Sequence, residues 1–153
     1  MKRAFITGGM AFLFMATGVA APAPTLARGS AQPLITVYKD PDCGCCKKWI
    51  AYLKEHGFRV DARDTDKLAD INTNLGVPEK LAGCHTAVVN GYIIAGHVPA
   101  EDIARLLRER PKIAGLAVPG MPAGAPGMEG PPPVHYQVIA FDHSGRTKIF
   151  ANH

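Results

Sequence analysis

The sequence has no Walker-type phosphate loop, no serine triad and no paired carboxylates placed for acid and base work, so the readable signatures of those chemistries are missing. It has no internal repeat either. Charge of one sign is scarce: 17 Lys and Arg face 13 Asp and Glu, a formal net charge of +4. That balance gives no reason to expect a nucleic-acid partner. Long apolar runs are also lacking. The one candidate, Ala4 to about Ala20, is interrupted by Thr7, Gly8, Gly9, Thr17 and Gly18, whereas a membrane-spanning helix needs about 20 apolar residues.

What the N-terminus does have is Lys2 and Arg3, then that short apolar run, then small residues and prolines. This order predicts a secretory signal peptide over residues 1–27. Prolines 22 and 24 disfavour earlier cleavage, so the cut is expected after Ala27, with Thr25 and Ala27 at the small positions. No cysteine sits there to carry a lipid. Removing Lys2 and Arg3 lowers the formal charge to +2 and leaves about 126 residues, enough for one domain with a modest core. An exported chain with no membrane anchor after cleavage follows.

The four cysteines do not read as a disulfide framework. Three occupy Cys43-Gly44-Cys45-Cys46, and the fourth opens Cys84-His85. Adjacent Cys45 and Cys46 bridge each other only with strain. Soft-metal ligation and thiol redox chemistry are the uses such density suggests, and bound metal would protect the thiols from random oxidation.

Hydrophobic patterning predicts an α/β fold with a mixed sheet and flanking helices. Leu34 to Tyr38 reads as a central strand. Asp42 is the expected N-cap of a helix from Cys43 to about His56, ended by Gly57. A strand from Phe58 to Ala62 and a helix around Lys67 to Leu75 follow. Next comes a hairpin, Thr86 to Asn90 and Tyr92 to Ala95, turned by Asn90-Gly91. A helix runs from Pro99 or Ala100 to Arg110, with Ile103, Leu106 and Leu107 as its apolar stripe. Residues 115–133 hold five glycines and six prolines, which predicts a loop without regular structure. Residues 134–153 read as a terminal β-hairpin, Val134 to Phe141 and Thr147 to Ala151, extending the domain of residues 33–114.

On this framework the cysteine cluster sits between a strand and a helix N-terminus, where the helix dipole favours thiolates. Cys43 and Cys46 share a helix face, with Cys46 the more buried, and Cys45 is expected to point elsewhere. Spacing alone leaves copper, zinc and redox chemistry open.

The run Val-Tyr-Lys-Asp-Pro-Asp-Cys-Gly-Cys-Cys-Lys-Lys-Trp, with Gly-Cys-His-Thr-Ala and Gly-His-Val-Pro, resembles the small exported metal-binding proteins of the copper-resistance CopG type. The resemblance covers about residues 34–110. It implies a thioredoxin-like fold and periplasmic copper handling, with Cys43, Cys45, Cys46 and Cys84 as metal thiolates. In thioredoxins a cis-proline precedes the hairpin; this chain has Cys84-His85-Thr86 there, which favours metal over disulfide exchange. Thiolates with thioether support select Cu(I). Because three clustered cysteines are hard to converge on one ion, more than one copper with bridging sulfur is expected.

His85 joins the candidate ligands as Cys84's neighbour. Met121 and Met128 join them because a core role is hard to arrange in a Gly/Pro segment. His97, His135 and His143 are weaker candidates; His56 is read as a helix-end residue and His153 as a frayed terminus. Trp49, Ile50 and Leu53 are read as core, and Arg105, Arg108, Glu109 and Arg110 as a solvated helix face. The expected partners are copper ions and copper export or resistance proteins. A copper-dependent oxidoreductase is compatible with this reading, and the alternative is a thiol-disulfide oxidoreductase or isomerase using Cys43 and Cys46.

Overall fold

A computed structural model describes residues 33–130 and 132–153. The predicted signal peptide lies outside the described residues. Among those described, no helix is long and apolar enough to cross a membrane.

The chain forms an α/β fold around a mixed sheet. Its elements are β1 Leu34–Lys39, α1 Gly44–Glu55, β2 Arg59–Asp64, α2 Leu68–Leu75, a 3-10 turn Glu79–Leu81, β3 His85–Val89, β4 Tyr92–Gly96, α3 Ala100–Glu109, β5 Gly115–Val118, β6 Gln137–Phe141 and β7 Thr147–Asn152. The sheet order is β2-β1-β3-β4-β5-β6-β7. The β1/β2 and β4/β5 pairs are parallel and the other pairs are antiparallel.

Period-two alternation divides the apolar residues between the two faces. Ile35, Val37, Ala87, Val89, Ile94, Leu116 and Val118 pack with Trp49, Ile50 and Leu53 of α1 and with Ile103 and Leu106 of α3. Ile93, Ala95, Ala117 and Phe141 form a second cluster with Val77 and Leu81 after α2. The stripe expected on α3 is therefore buried at Ile103 and Leu106, with Leu107 half-buried. Strand β2, at one edge, is mostly exposed and charged, a composition that discourages further strand pairing. The hairpin turn at Asn90-Gly91 has positive φ at both residues, as a two-residue turn of this hand requires.

Four expectations need correction. Residues 115–133 are not a loop throughout, because Gly115–Val118 forms β5, buried between β4 and β6. Four apolar residues suffice for a strand, and the Gly/Pro density that obscured them belongs to the residues beyond. The N-cap of α1 is Cys43 rather than Asp42: its Sγ accepts from Cys46 N–H at 3.2 Å, while Asp42 N–H donates to Asp40 Oδ1 at 2.8 Å within the preceding turn.

The other two corrections concern the C-terminus. His153 is not frayed: its backbone pairs with Tyr136 in both directions, and Nε2 lies 2.7 Å from the buried Asp102 Oδ2. Arg105 is not simply solvated. It stacks on Phe150 at 3.8 Å, donates to Phe150 O at 2.7 Å and pairs with Asp102. The terminal hairpin thus adds two strands to the sheet and is held against α3.

At Gly115 an added Cβ would collide with Ile93 O and approach Phe141 Cζ to 2.9 Å. Gly115→Ala must push β5 away from β4 and is expected to cost about 1–3 kcal/mol. Urea unfolding followed by circular dichroism should show a lower midpoint at unchanged m-value.

Candidate metal centre

The centre is built where β1 gives way to α1. Lys39, at the end of β1, is buried; its ammonium pairs with Asp64 at 2.5 Å and donates to Asp40 O at 3.0 Å, which shapes the turn. Helix α1 then presents its first turn to the loop entering β3. The antiparallel register sets Lys39 opposite His85, so Cys84 arrives beside the cysteines of α1.

All four sulfurs converge, each within 4.8 Å of the others. Cys45 Sγ lies 3.4 Å from Cys43 Sγ and 3.7 Å from Cys84 Sγ, and Cys46 Sγ lies 3.3 Å from Cys84 Sγ. The expectation that Cys45 points elsewhere is overturned. As the second residue of the helix it projects toward the mouth of the site, where Cys84 from another element meets it. Cys46 is fully buried and the other three are half-buried, as expected for Cys46.

Cys43 and Cys46 are joined as a disulfide, whereas Cys45 and Cys84 are free. The bonded pair is the one that the alternative sequence reading singled out, and the helical turn brings positions three apart within bonding range. Burial, reinforced by Cys45, pushes the Cys84 thiol up to about 12. The helix dipole that favours thiolates at the start of α1 does not govern this residue, which sits on the β3 side.

Two histidines complete the arrangement. His85 is fully buried on β3, its ring 4.3 Å from that of Trp49. Its Nε2 lies 2.9 Å from Gly96 O, and its Nδ1 lies 3.6 Å from Cys84 Sγ. Buried His97 places Nδ1 2.7 Å from Pro126 O and Nε2 3.8 Å from Cys84 Sγ. A carbonyl oxygen only accepts, so each of these outer nitrogens carries the proton. Burial holds both rings neutral, pushing His85 down to about 3, with His97 as a lesser cause, and lowering His97 as well. Each ring consequently aims a lone pair at Cys84, the orientation found in metal-ligating histidines.

Gly96 makes this possible: at φ 72° it turns the chain into His97, and an added Cβ would come 2.6 Å from Val118 O. Cys84, His85 and His97 form a second donor group sharing Cys84 with the four cysteines. The sequence signal for His97 is the Gly-His-Val-Pro motif, but only the fold brings it to Cys84.

The segment after β5 crosses the mouth. Gly127 packs on α1, where an added Cβ would lie 2.8 Å from Trp49 N. Lys48 approaches Glu129 at 3.6 Å. A groove of about 500 Å³ is lined by Cys45, Met121 and Met128 together with Lys48 and Glu129. Met121 is exposed with positive φ, while Met128 is half-buried against the main core, a packing role the segment's composition does not reveal. His135 and His143 are exposed and belong to neither donor group. His56 caps α1 as expected, its ring nitrogen Nδ1 2.8 Å from Tyr52 O.

A protein-family model described as a protein of unknown function, DUF411, matches residues 81–128. Two solved structures, described as copper resistance protein CopG in form 2 and form 1, are similar to this chain. They are 42% and 44% identical, with TM-scores of 0.76 and 0.75, and each alignment covers 80% of this chain and 98% of the other. The chain belongs to the CopG family. No curated protein matches it. The four cysteines, and Cys84 with the two histidines, are arranged so that they could hold a metal ion, and thiolate and imidazole suit a soft one.

The depressed histidines carry a pH signature. Unfolded, each imidazole takes up a proton near its ordinary pKa of about 6.5, but folded His85 resists until about 3. The stabilisation is fully present above about pH 6.5 and is lost as pH falls toward 3. Metal-free protein should therefore lose up to about 1.4 kcal/mol per pH unit from His85 across that window, with His97 acting in the same direction. In chemical denaturation at several pH values, His85→Gln should flatten this slope whatever it does to stability at neutral pH.

Proposed function

We propose that the protein binds Cu(I) in copper resistance or homeostasis. The observation that carries this reading is the meeting of four sulfurs, from two separated segments, within 4.8 Å. The family's copper resistance structures direct the choice of metal. The β1-α1-β2-α2-β3-β4-α3 order, with its sheet order of β2-β1-β3-β4, fits the thioredoxin-like architecture the resemblance implies.

The donor set fits Cu(I): once the Cys43–Cys46 bond is reduced, Cys43, Cys45, Cys46 and Cys84 supply thiolates, and His85 and His97 supply neutral nitrogen. Six donors exceed what one low-coordinate ion uses, and Cys84 belongs to both donor groups, which supports more than one copper with Cys84 bridging. Met121 and Met128 flank Cys45 at the groove and supply thioethers for capture or transfer. We place the protein in the periplasm after cleavage near Ala27, exchanging copper with export or resistance proteins.

The Cys43–Cys46 disulfide favours a second reading, a thiol-disulfide oxidoreductase or isomerase using that pair. Catalysed insulin reduction by metal-free protein would support it.

Anaerobic, fully reduced protein exposed to Cu(I) should take up two or more tightly held ions with its thiols protected, read by metal analysis and thiol titration. Cys84→Ser should cut uptake by more than half, because it removes the donor shared by both groups. Retention of one ion per chain, unchanged in the variant, would defeat the bridged reading. Edman sequencing of the exported protein should begin at Arg28.

A further inference from the structure

Charge is shared unevenly along the chain. Residues 105–112 and 142–148 carry six Lys and Arg against two Asp and Glu, whereas the other described residues carry eight cations against eleven acids. Folding brings the two basic segments together. The end of α3 is tied to the start of β4, where Tyr92 Oη donates to Pro111 O at 3.0 Å, and Lys112 and Lys148 line one groove of about 240 Å³. A second groove, of about 280 Å³, joins Lys148 to Arg105, Ile113 and Ile149.

This basic end lies away from the metal centre. Ile93, Gly115, Phe141 and Thr147 are neighbours across four strands, so the patch sits where β4 and β5 begin, whereas Gly96 and Val118, beside the centre, mark where they end.

Some of these cations are committed to the fold. Arg105 is engaged by Phe150 O and Asp102, and Arg146 pairs with Asp142 at 2.8 Å. Among the described residues, no salt bridge engages Arg108, Arg110, Lys112 or Lys148, and all four are exposed. The dipole of α3 accounts for Arg108 and Arg110 beside its last carbonyls, but not for Lys112 and Lys148, which lie beyond the helix. Next to Lys148, Ile149 is 55% exposed, the most exposed large apolar side chain among the described residues.

We propose that this end docks on an anionic bilayer surface, with Arg108, Arg110, Lys112 and Lys148 on lipid headgroups and Ile149 in the interfacial layer. Four flexible cations spread over a helix end, a loop and a strand suit a fluid array of headgroups, which asks for positive charge and an apolar anchor rather than fixed donor geometry. An acidic protein segment fits less well, because Glu109 lines the groove beside Lys148 that such a segment would enter. Docking by this end leaves the mouth of the metal centre open to solvent. The proposal does not depend on which metal the centre takes.

The test uses the exported protein, its N-terminus confirmed at Arg28, sedimented with sucrose-loaded vesicles of phosphatidylcholine alone or with about 30% phosphatidylglycerol. The protein should sediment with the anionic vesicles at about 20 mM salt and be largely released at about 300 mM, where exposed charges are screened. Neutral vesicles should leave it in solution. Lys112→Glu with Lys148→Glu should weaken partitioning at least about twentyfold, and Ile149→Ser about fivefold. Lys80→Glu, the same change of charge before the loop entering β3, should leave partitioning unaltered.

The wild-type comparison of the two vesicle types decides the matter even if a variant misfolds. Equal sedimentation with both, sedimentation with neither, or as large a loss from Lys80→Glu as from the Lys112 and Lys148 pair would each overturn the proposal. Binding to poly-L-glutamate in place of the anionic vesicles would also overturn it, and would assign the patch to an acidic protein partner.

Discussion

The centre depends on one register. β3 runs antiparallel to β1 with His85 opposite Lys39, which delivers Cys84 to the first turn of α1, a site separated from it by about forty residues of chain. A slip of one residue would send every side chain of β3 to the other face. The apolar alternation resists such a slip, because Ala87 and Val89 must stay with the cluster formed by Trp49, Leu53 and Ile103. Packing of the core and convergence of the sulfurs are thus one constraint.

The polar cost of burying this chemistry is met locally. Trp49 Nε1 donates to Val98 O at 2.9 Å, and the two histidines donate to Gly96 O and Pro126 O. A buried polar group without a partner is expensive, so these carbonyls also determine which tautomer is stable. The inward nitrogens are left with lone pairs directed at sulfur. Hydrogen bonds that satisfy the fold therefore prepare the donor set, and burial keeps the rings unprotonated at neutral pH.

The C-terminal third encloses the centre. Strand β5 pairs with β4 and passes the chain to a Gly/Pro segment that crosses α1 at Gly127 and supplies the Pro126 carbonyl to His97. Strands β6 and β7 then extend the sheet and are held to α3 through Arg105, Asp102 and His153. Met128 packs on the core while Met121 remains exposed, so the two methionines that look equivalent in sequence have different freedom to move.

Much of this was legible in the amino acids themselves. Apolar alternation, the Asn90-Gly91 turn and the glycine after α1 mark elements by local chemistry, and the density of thiols identifies the reactive segment. Four residues of strand hidden at the head of a Gly/Pro stretch were not legible, because β5 is stabilised by neighbours on both sides and not by its own length. Nor were the inward turn of Cys45 or the approach of His97. The sequence by itself determined which residues carry the chemistry and on which elements they lie, since side-chain type and hydrophobic period are local properties. Only the tertiary structure decided which of them meet, because that follows from strand register and from the backbone carbonyls that long-range packing brings to each buried ring.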